Sequence, residues 1–505
     1  VPPVPDTIVN QVHWWFKKRE SARLVADDLF LGGKFVTGND EYLWKHQAED
    51  SAAYALRKKM ANYENRFARI LQVKTDTIFR AKIVRAAKTD SDDEQFLKDV
   101  DGRGTPIDDY MKCWYQWAEV EDVAYTLIDR PTAPIPVSPN EAEAIQTAAQ
   151  ARTANLFPRF VFIRALDLMD WATDALGNIV AIKFRQMVAD ESPIDQPRTS
   201  EKTKHEYFIW TVDGWWRFDS EGKQVASRPL NLRAVPLVAL YSKQLGAMIS
   251  VSRNDDAVGL ARKLYNLESQ NDSEIHFNGF STVVLPSRVR PSDNAESAES
   301  EFIRGIGHYC GVDPDSKNQP FLLETTGKPY EIMSDRADKF IDKMCDAMAV
   351  RRVNVQSAAG EGASGEAKKW DFMATNDDTV GNAKRCEAAE NRAHYFRALW
   401  DADGNAATAE EAAFKAEYPT DFNLKTGDEM LAEIERETLA ITASPTFLLA
   451  HQRIYINSHP DKKFFTPEEN ESIDLELEAR ELAADVSPPV PGPAPVEETP
   501  NKVAA

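Results

Sequence analysis

Cysteine, histidine and long apolar runs are scarce in this chain. Four cysteines among 505 residues, at positions 113, 310, 345 and 386, lie far apart and form no C-x-x-C pair. That spacing argues against a disulfide framework or a zinc site, and suits a reducing compartment. No run of about 18 apolar residues occurs, so no transmembrane helix is expected. The start shows no charged-then-apolar signal segment. Its first residue is Val1 rather than Met, which reads as a processed or trimmed start. Bases are outnumbered too: 60 Lys and Arg face 81 Asp and Glu, for a net charge of −21. Such a balance argues against a general nucleic-acid coat, which needs a basic footprint. It leaves room for nucleic acid that passes without sticking.

What is present is globular material. The chain is 43% hydrophobic and 10% aromatic, which excludes collagen-like, coiled-coil-only and wholly disordered readings. Its length suits two to four domains or one elaborate subunit. Amphipathic helices are expected over Val9–Asp28, Asp50–Asn62 and Tyr63–Gln72. A longer one is expected over Pro106–Asp129, with Thr105 as N-cap, Pro106 at N1 and Asp108 reaching back to the cap amide. Four prolines within Arg130–Pro139 break it. Phe157–Pro236 reads as antiparallel β structure. One hairpin is expected between Phe160–Arg164 and Ile179–Phe184 about Gly177-Asn178, another between Glu206–Thr211 and Trp215–Phe218 about Asp213-Gly214. Helices are then expected over Asp255–Phe277 and Ser334–Arg352, with a strand at Phe280–Leu285 between them. A long helix follows over Thr379–Trp400, with Glu366–Thr375 before it mixed. Thr426–Ile441 and Pro467–Ala484 complete the helices, and Ser487–Ala505 reads as disordered.

The search for chemistry returns little. Gly360-Glu-Gly-Ala-Ser-Gly365 matches G-x-G-x-x-G, but a dinucleotide site needs a strand before it and a βαβ unit around it. A flexible loop is the better reading. P-loop, nucleophile-elbow, zincin and EF-hand patterns are absent. His308 and Cys310 make at most a two-ligand fragment. The acidic groups at Asp90–Glu94, Asp255-Asp256 and Asp377-Asp378 read as solvated faces or caps, the last placed just before a helix, where anions suit the dipole. Cys113–Trp117 carries Trp and Tyr residues at core spacing. Arg351-Arg352 and Lys368-Lys369 flank the glycine loop as two short basic pairs.

The order of these elements resembles the portal proteins of tailed bacteriophages. The resemblance rests on Asn65–Arg69 with Asp101-Gly-Arg-Gly-Thr-Pro-Ile-Asp108, and on Leu166–Trp171, Tyr207–Thr211, Arg228–Leu232 and Val235–Val238. Asp255–Phe277 with Gly279–Pro286 looks like a first stem helix entering a clip. Ile303–Gly307 through Tyr330–Ile332 looks like the clip, and Ser334–Arg352 like the second stem helix. Ala363–Ala367 resembles the stretch beside the tunnel loop. The match spans Ala52–Leu449 in order.

The resemblance implies an α+β portal fold: arm 1–45, wing 46–250, first stem helix 251–279, clip 280–333, second stem helix 334–353, tunnel-loop region 354–378, long wing helix 379–425, helical crown 426–486 and disordered tail 487–505. It implies a homo-oligomeric ring, typically a dodecamer, at one capsid vertex of the virion, assembled in the host cytoplasm. Such a ring conducts double-stranded DNA during packaging and ejection. Its implied partners are terminase, the head–tail adaptor, the major capsid protein and scaffold protein, with no membrane, no cofactor, no metal and no catalysis. Candidate channel residues are Lys339, Lys343, Arg351, Arg352, Lys368 and Lys369, and the candidate tunnel loop holds Gly360, Gly362, Ser364 and Gly365. The alternative is another virion structural or scaffold protein, an adaptor or minor capsid component, without a DNA channel. An α+β enzyme or a non-viral scaffold ranks behind, because no convergent His/Asp/Glu set can be assembled from the sequence.

Overall fold

The computed structural model describes residues 10–47, 49–85, 91–130, 157–188, 204–230, 232–278, 282–286, 309–312, 321–323, 327–350, 365–402, 404–420, 422 and 475–476. The chain divides into units Val1–Phe422 and Asn423–Ala505. In the second unit only Leu475 and Glu476 are described, both helical. The helices expected at Thr426–Ile441 and through most of Pro467–Ala484, and the tail 487–505, lie outside the described residues.

The first unit is α+β. Helices α1 (Trp14–Leu31), α2 (Ser51–Met60), α3 (Arg66–Arg80) and α4 (Ser91–Lys98) come first, with the short strand β1 (Val84–Arg85) before α4. Helix α5 (Ile107–Glu121) follows, and here the sequence reading needs correction. It stops at Glu121, and Val123–Asp129 is strand β2. Asp122 turns the chain with a left-handed φ of 73°. The β-branched and aromatic run Val123, Tyr125, Thr126 and Ile128 suits a central strand. It is taken up on both sides, with Tyr125 facing Ile163 of β3 (Arg159–Arg164) and Ala239 of β9 (Leu237–Tyr241), both antiparallel. The α5 cap also differs: Pro106 is the N-cap without a side-chain bond. Thr105 Oγ1 instead donates to Asp101 at 2.8 Å, and Asp108 pairs with Arg85 at 2.8 Å. Gly102 in that turn has φ 74°, and a side chain there would collide with the Arg159 guanidinium.

A second sheet is a five-stranded meander of β4 (Leu168–Thr173), β5 (Ile179–Val188), β6 (Lys204–Thr211), β7 (Gly214–Phe218) and β8 (Gln224–Pro229). The Asp213-Gly214 hairpin is as expected, with Trp210 opposite Trp215. The first hairpin is not. Ile179–Val188 pairs with Leu168–Thr173, while Phe160–Arg164 belongs to the β2 sheet. The residues between the two readings, Leu168–Thr173, place Trp171 on the core side of β4, and His13 at the cap of α1 stacks on it at 3.9 Å. Strands β10 (Lys243–Gly246) and β11 (Ile249–Val251) form a small hairpin leading into α6 (Asp255–Asn278).

The α5 aromatics are core residues, as their spacing predicts: Trp114 is fully buried and its Nε1 donates to the Ala124 carbonyl at 2.9 Å. Tyr115 is also buried. This core joins α5 and the β2 sheet to α8 (Gly365–Asp401), through Ala393, Phe396 and Leu399. Helix α9 (Ala406–Ala412) and strand β15 (Ala416–Glu417), which pairs with β1, close the unit.

At the end of α5 lies a buried ionic node. Asp122 is fully buried and accepts from Arg19 Nε at 2.9 Å, Arg23 Nη2 at 2.8 Å and Ser250 Oγ at 2.8 Å. Glu121 accepts from Arg164 and from the Leu166 amide. Glu119 accepts from Asn254 at 3.0 Å and Arg385 at 3.1 Å, with Lys74 at 3.8 Å. Burial alone would push the Glu119 carboxyl up, but Lys74 and Arg385 outweigh it and hold it below its ordinary value. Replacing Asp122 with Ala leaves Arg23, only 2% exposed, as an unpaired buried charge. The expected cost is about 3–5 kcal/mol, read as a lowered urea midpoint. A midpoint unchanged within error would remove the node from its structural role.

Candidate functional site

Helix α6 owes its start to its surroundings. Asn254 Nδ2 donates to Glu119, and Asp255 receives both Nη atoms of Arg19 at 3.0 Å. Its apolar side carries Ala257, Val258, Ala261, Leu264 and Tyr265, all buried. Helix α7 (Lys328–Ala347) begins earlier than the sequence pattern suggests, because Gly327 caps it with φ 69° and Pro329 fits the first turn. Its Ala337, Phe340, Ile341, Met344 and Met348 meet the α6 stripe in one cluster.

The two helices run antiparallel. Tyr330, at the start of α7, donates to the Glu274 carbonyl near the end of α6 at 3.1 Å. Between them the chain forms a three-stranded sheet, β12 (Thr282–Pro286) in the centre, β13 (Tyr309–Val312) parallel on one side and β14 (Phe321–Leu323) antiparallel on the other. The pair is anchored along α6 by α2 and the segment before it: Tyr265 Oη accepts from the Gly38 amide at 3.0 Å, Arg57 donates to Ser269 at 3.1 Å, and Asn266 Oδ1 accepts from the Trp44 amide at 2.8 Å.

Lys339 and Lys343 are exposed on the side of α7 away from this seam. Four residues apart, they share a face. Ile332, 67% exposed, and Asp335 and Asp346 share it too, so the stripe is mixed in sign rather than a basic track. On α6 the acids Asp255, Asp256, Asp272 and Glu274 are exposed. Arg351, Arg352, Gly360, Gly362 and Ser364 lie outside the described residues. Gly365 is the first residue of α8, and Lys368 and Lys369 sit in its first turns. Glu366–Thr375 is therefore helix, not mixed structure. Asp377-Asp378 consequently lies inside α8 rather than before it, and Asp378 pairs with Lys74 at 3.1 Å and Arg253 at 3.2 Å. No glycine or proline interrupts residues 366–380, so nothing in the chain breaks the helix there.

Among the described residues, no group of three or more His, Cys, Asp or Glu is placed to hold a metal ion, and no helix is long and apolar enough to cross a membrane. His308 lies outside them. Asp255 and Asp93, from the acidic clusters, are engaged by Arg19 and by Arg397 at 2.7 Å. The contribution of Glu119, Glu121 and Asp122 was not singled out by any sequence motif; the one available signal is three acids crowded at a helix end that favours cations.

No family model and no curated protein matches the chain. Among solved structures, it is similar to a chain in the neck of a native GTA particle computed with C12 symmetry, at 9% identity and a TM-score of 0.36. The alignment covers 89% of this chain and 97% of that one. A likeness at that level carries no argument about role.

One acid of α6 gives a pH test. Burial, with Glu64 close by, pushes the Glu268 carboxyl up to about 7 from 4.5. A raised acid contributes stability fully below its unfolded value, and that contribution is lost as pH rises through about 7. Glu268→Gln should therefore melt above the parent at pH 8, with the gap closing by pH 4. An equal gap at both pH values would show that the proton is not responsible.

Proposed function

We propose that the chain is a subunit of a portal ring at one vertex of a tailed-phage capsid, forming the channel for DNA packaging and ejection and docking terminase and the head–tail adaptor. One observation carries the reading. Helices α6 and α7 leave a common core as an antiparallel pair and enclose a small mixed sheet between them, the arrangement of a stem bearing a clip. Around this pair, wing, long helix and ionic node form a broad base. A heterologous contact repeated by rotation closes such wedges into a ring.

The electrostatics agree with passive conduction. An acidic wall repels phosphate, and scattered Lys and Arg give brief contacts without strong binding. The mixed stripe with Lys339 and Lys343 fits that pattern. Energy for movement comes from a separate motor in this reading, and the chain itself catalyses nothing.

Mass photometry of the purified chain should give a species near twelve times 56.7 kDa, seen by negative stain as a ring with a central hole. A monomer that persists when capsid and scaffold proteins are co-expressed would overturn the reading in favour of a virion or scaffold protein without a channel. With rings in hand, alanine at Arg351, Arg352, Lys368 and Lys369 should impair packaging or retention of DNA while ring size stays constant. Unchanged packaging would remove these four from the channel wall.

A further inference from the structure

A cleft of about 990 Å³ opens on the first unit between the C-terminal half of α8, the start of α9, the β6–β7 turn and the segment after β8. Its floor is apolar, formed by Leu230, Leu232, Phe396 and Leu399, all buried. Two arginines line it. Arg392 lies exposed over Tyr395 and Phe396, its guanidinium 4.7 and 4.5 Å from their ring centres. Arg233 is exposed and held in a left-handed conformation with φ 57°. Neither has an ion-pair partner or hydrogen-bond acceptor among the described residues. This sets them apart from Arg19, Arg23, Arg57, Arg85, Arg164, Arg385 and Arg397, each of which meets a carboxylate.

Stacking on aromatic faces fixes a guanidinium while leaving its N–H fork free for a planar anion. The stacked Arg392 fork and the unstacked, exposed Arg233 guanidinium, beside an apolar floor, match carboxylates that flank a large apolar side chain. Asp213 is the acid lining the cleft, so a string of acids without an apolar anchor gains less there. We propose that this cleft is a docking groove for an acidic peptide segment of a partner protein. A Leu or Phe of the peptide fills the floor, and carboxylates on either side pair with Arg233 and Arg392. The apolar floor, rather than charge, selects this occupant over a nucleic acid, whose phosphates would meet the same two cations and the same Asp213. The inference does not depend on the portal reading, since the cleft lies apart from α6 and α7.

The test uses the full chain and a fluorescein-labelled Glu-Asp-Leu-Phe-Asp-Glu peptide, with binding followed by polarisation. Binding should saturate in the micromolar range and weaken with added salt. The double variant Arg233→Glu, Arg392→Glu should weaken it at least tenfold. A peptide with Ser-Ser in place of Leu-Phe should lose a similar factor on the parent chain. Absence of saturable binding overturns the proposal, as does equal affinity in the double variant. Tighter binding of an oligothymidine probe than of the peptide would assign the groove to nucleic acid and overturn it. A change in oligomer mass in the double variant would make the groove a contact between copies and overturn it likewise. Circular dichroism and melting of the double variant should match the parent, because both side chains are exposed. If they do not, the conservative pair Arg233→Gln, Arg392→Gln carries the same comparison.

Discussion

Three carboxylates at the wrong end of a helix hold this fold together. Glu119, Glu121 and Asp122 close α5, where the helix dipole already presents negative charge and cations are favoured. All three are fully buried. Left alone they would be ruinous, since an isolated buried charge costs far more than one contact returns. They are tolerated because five cations converge on them: Arg19 and Arg23 from α1, Lys74 from α3, Arg164 from β3 and Arg385 from α8. None of these elements can leave without stranding a charge. The node therefore specifies how helices and sheet meet, in the way that a hydrophobic seam, which tolerates sliding, does not.

That specificity bears on the antiparallel pair. Ser250, Ser252, Arg253, Asn254 and Asp255 bond into the node or its neighbours just before α6 begins. The base of the pair is thus fixed to the sheet, while farther along it Arg57 bonds Ser269 and Tyr330 bonds the Glu274 carbonyl.

Much of this was legible in the residues. The presence of helices at α1, α3, α6 and α7, and the Asp213-Gly214 hairpin, follow from spacing and turn chemistry alone. The failures share a cause. Pro106–Asp129 has one continuous apolar pattern, yet its last seven residues pair with β3 and β9, because flanking strands more than thirty and one hundred residues away outbid local propensity. Ile179–Phe184 took Leu168–Thr173 as its partner rather than Phe160–Arg164, since a period-two pattern gives a strand its faces and not its neighbour. Asp377-Asp378 looked like a cap and proved to be mid-helix, where Asp378 is paid off by Lys74 and Arg253.

The site divides along the same line. By itself the sequence determined that the chain is acidic, that two amphipathic helices flank a short mixed segment, and that no common nucleotide or metal motif is present. Those properties reside in composition and local periodicity. Only the tertiary structure decided that the two helices pack antiparallel, that Lys339 and Lys343 face away from their seam amid acids, that Arg233 and Arg392 share one cleft, and that three acids of α5 meet five distant cations. Each of these is a matter of which residues far apart in the chain become neighbours, and charge pairing across such distances leaves no periodic trace in a sequence.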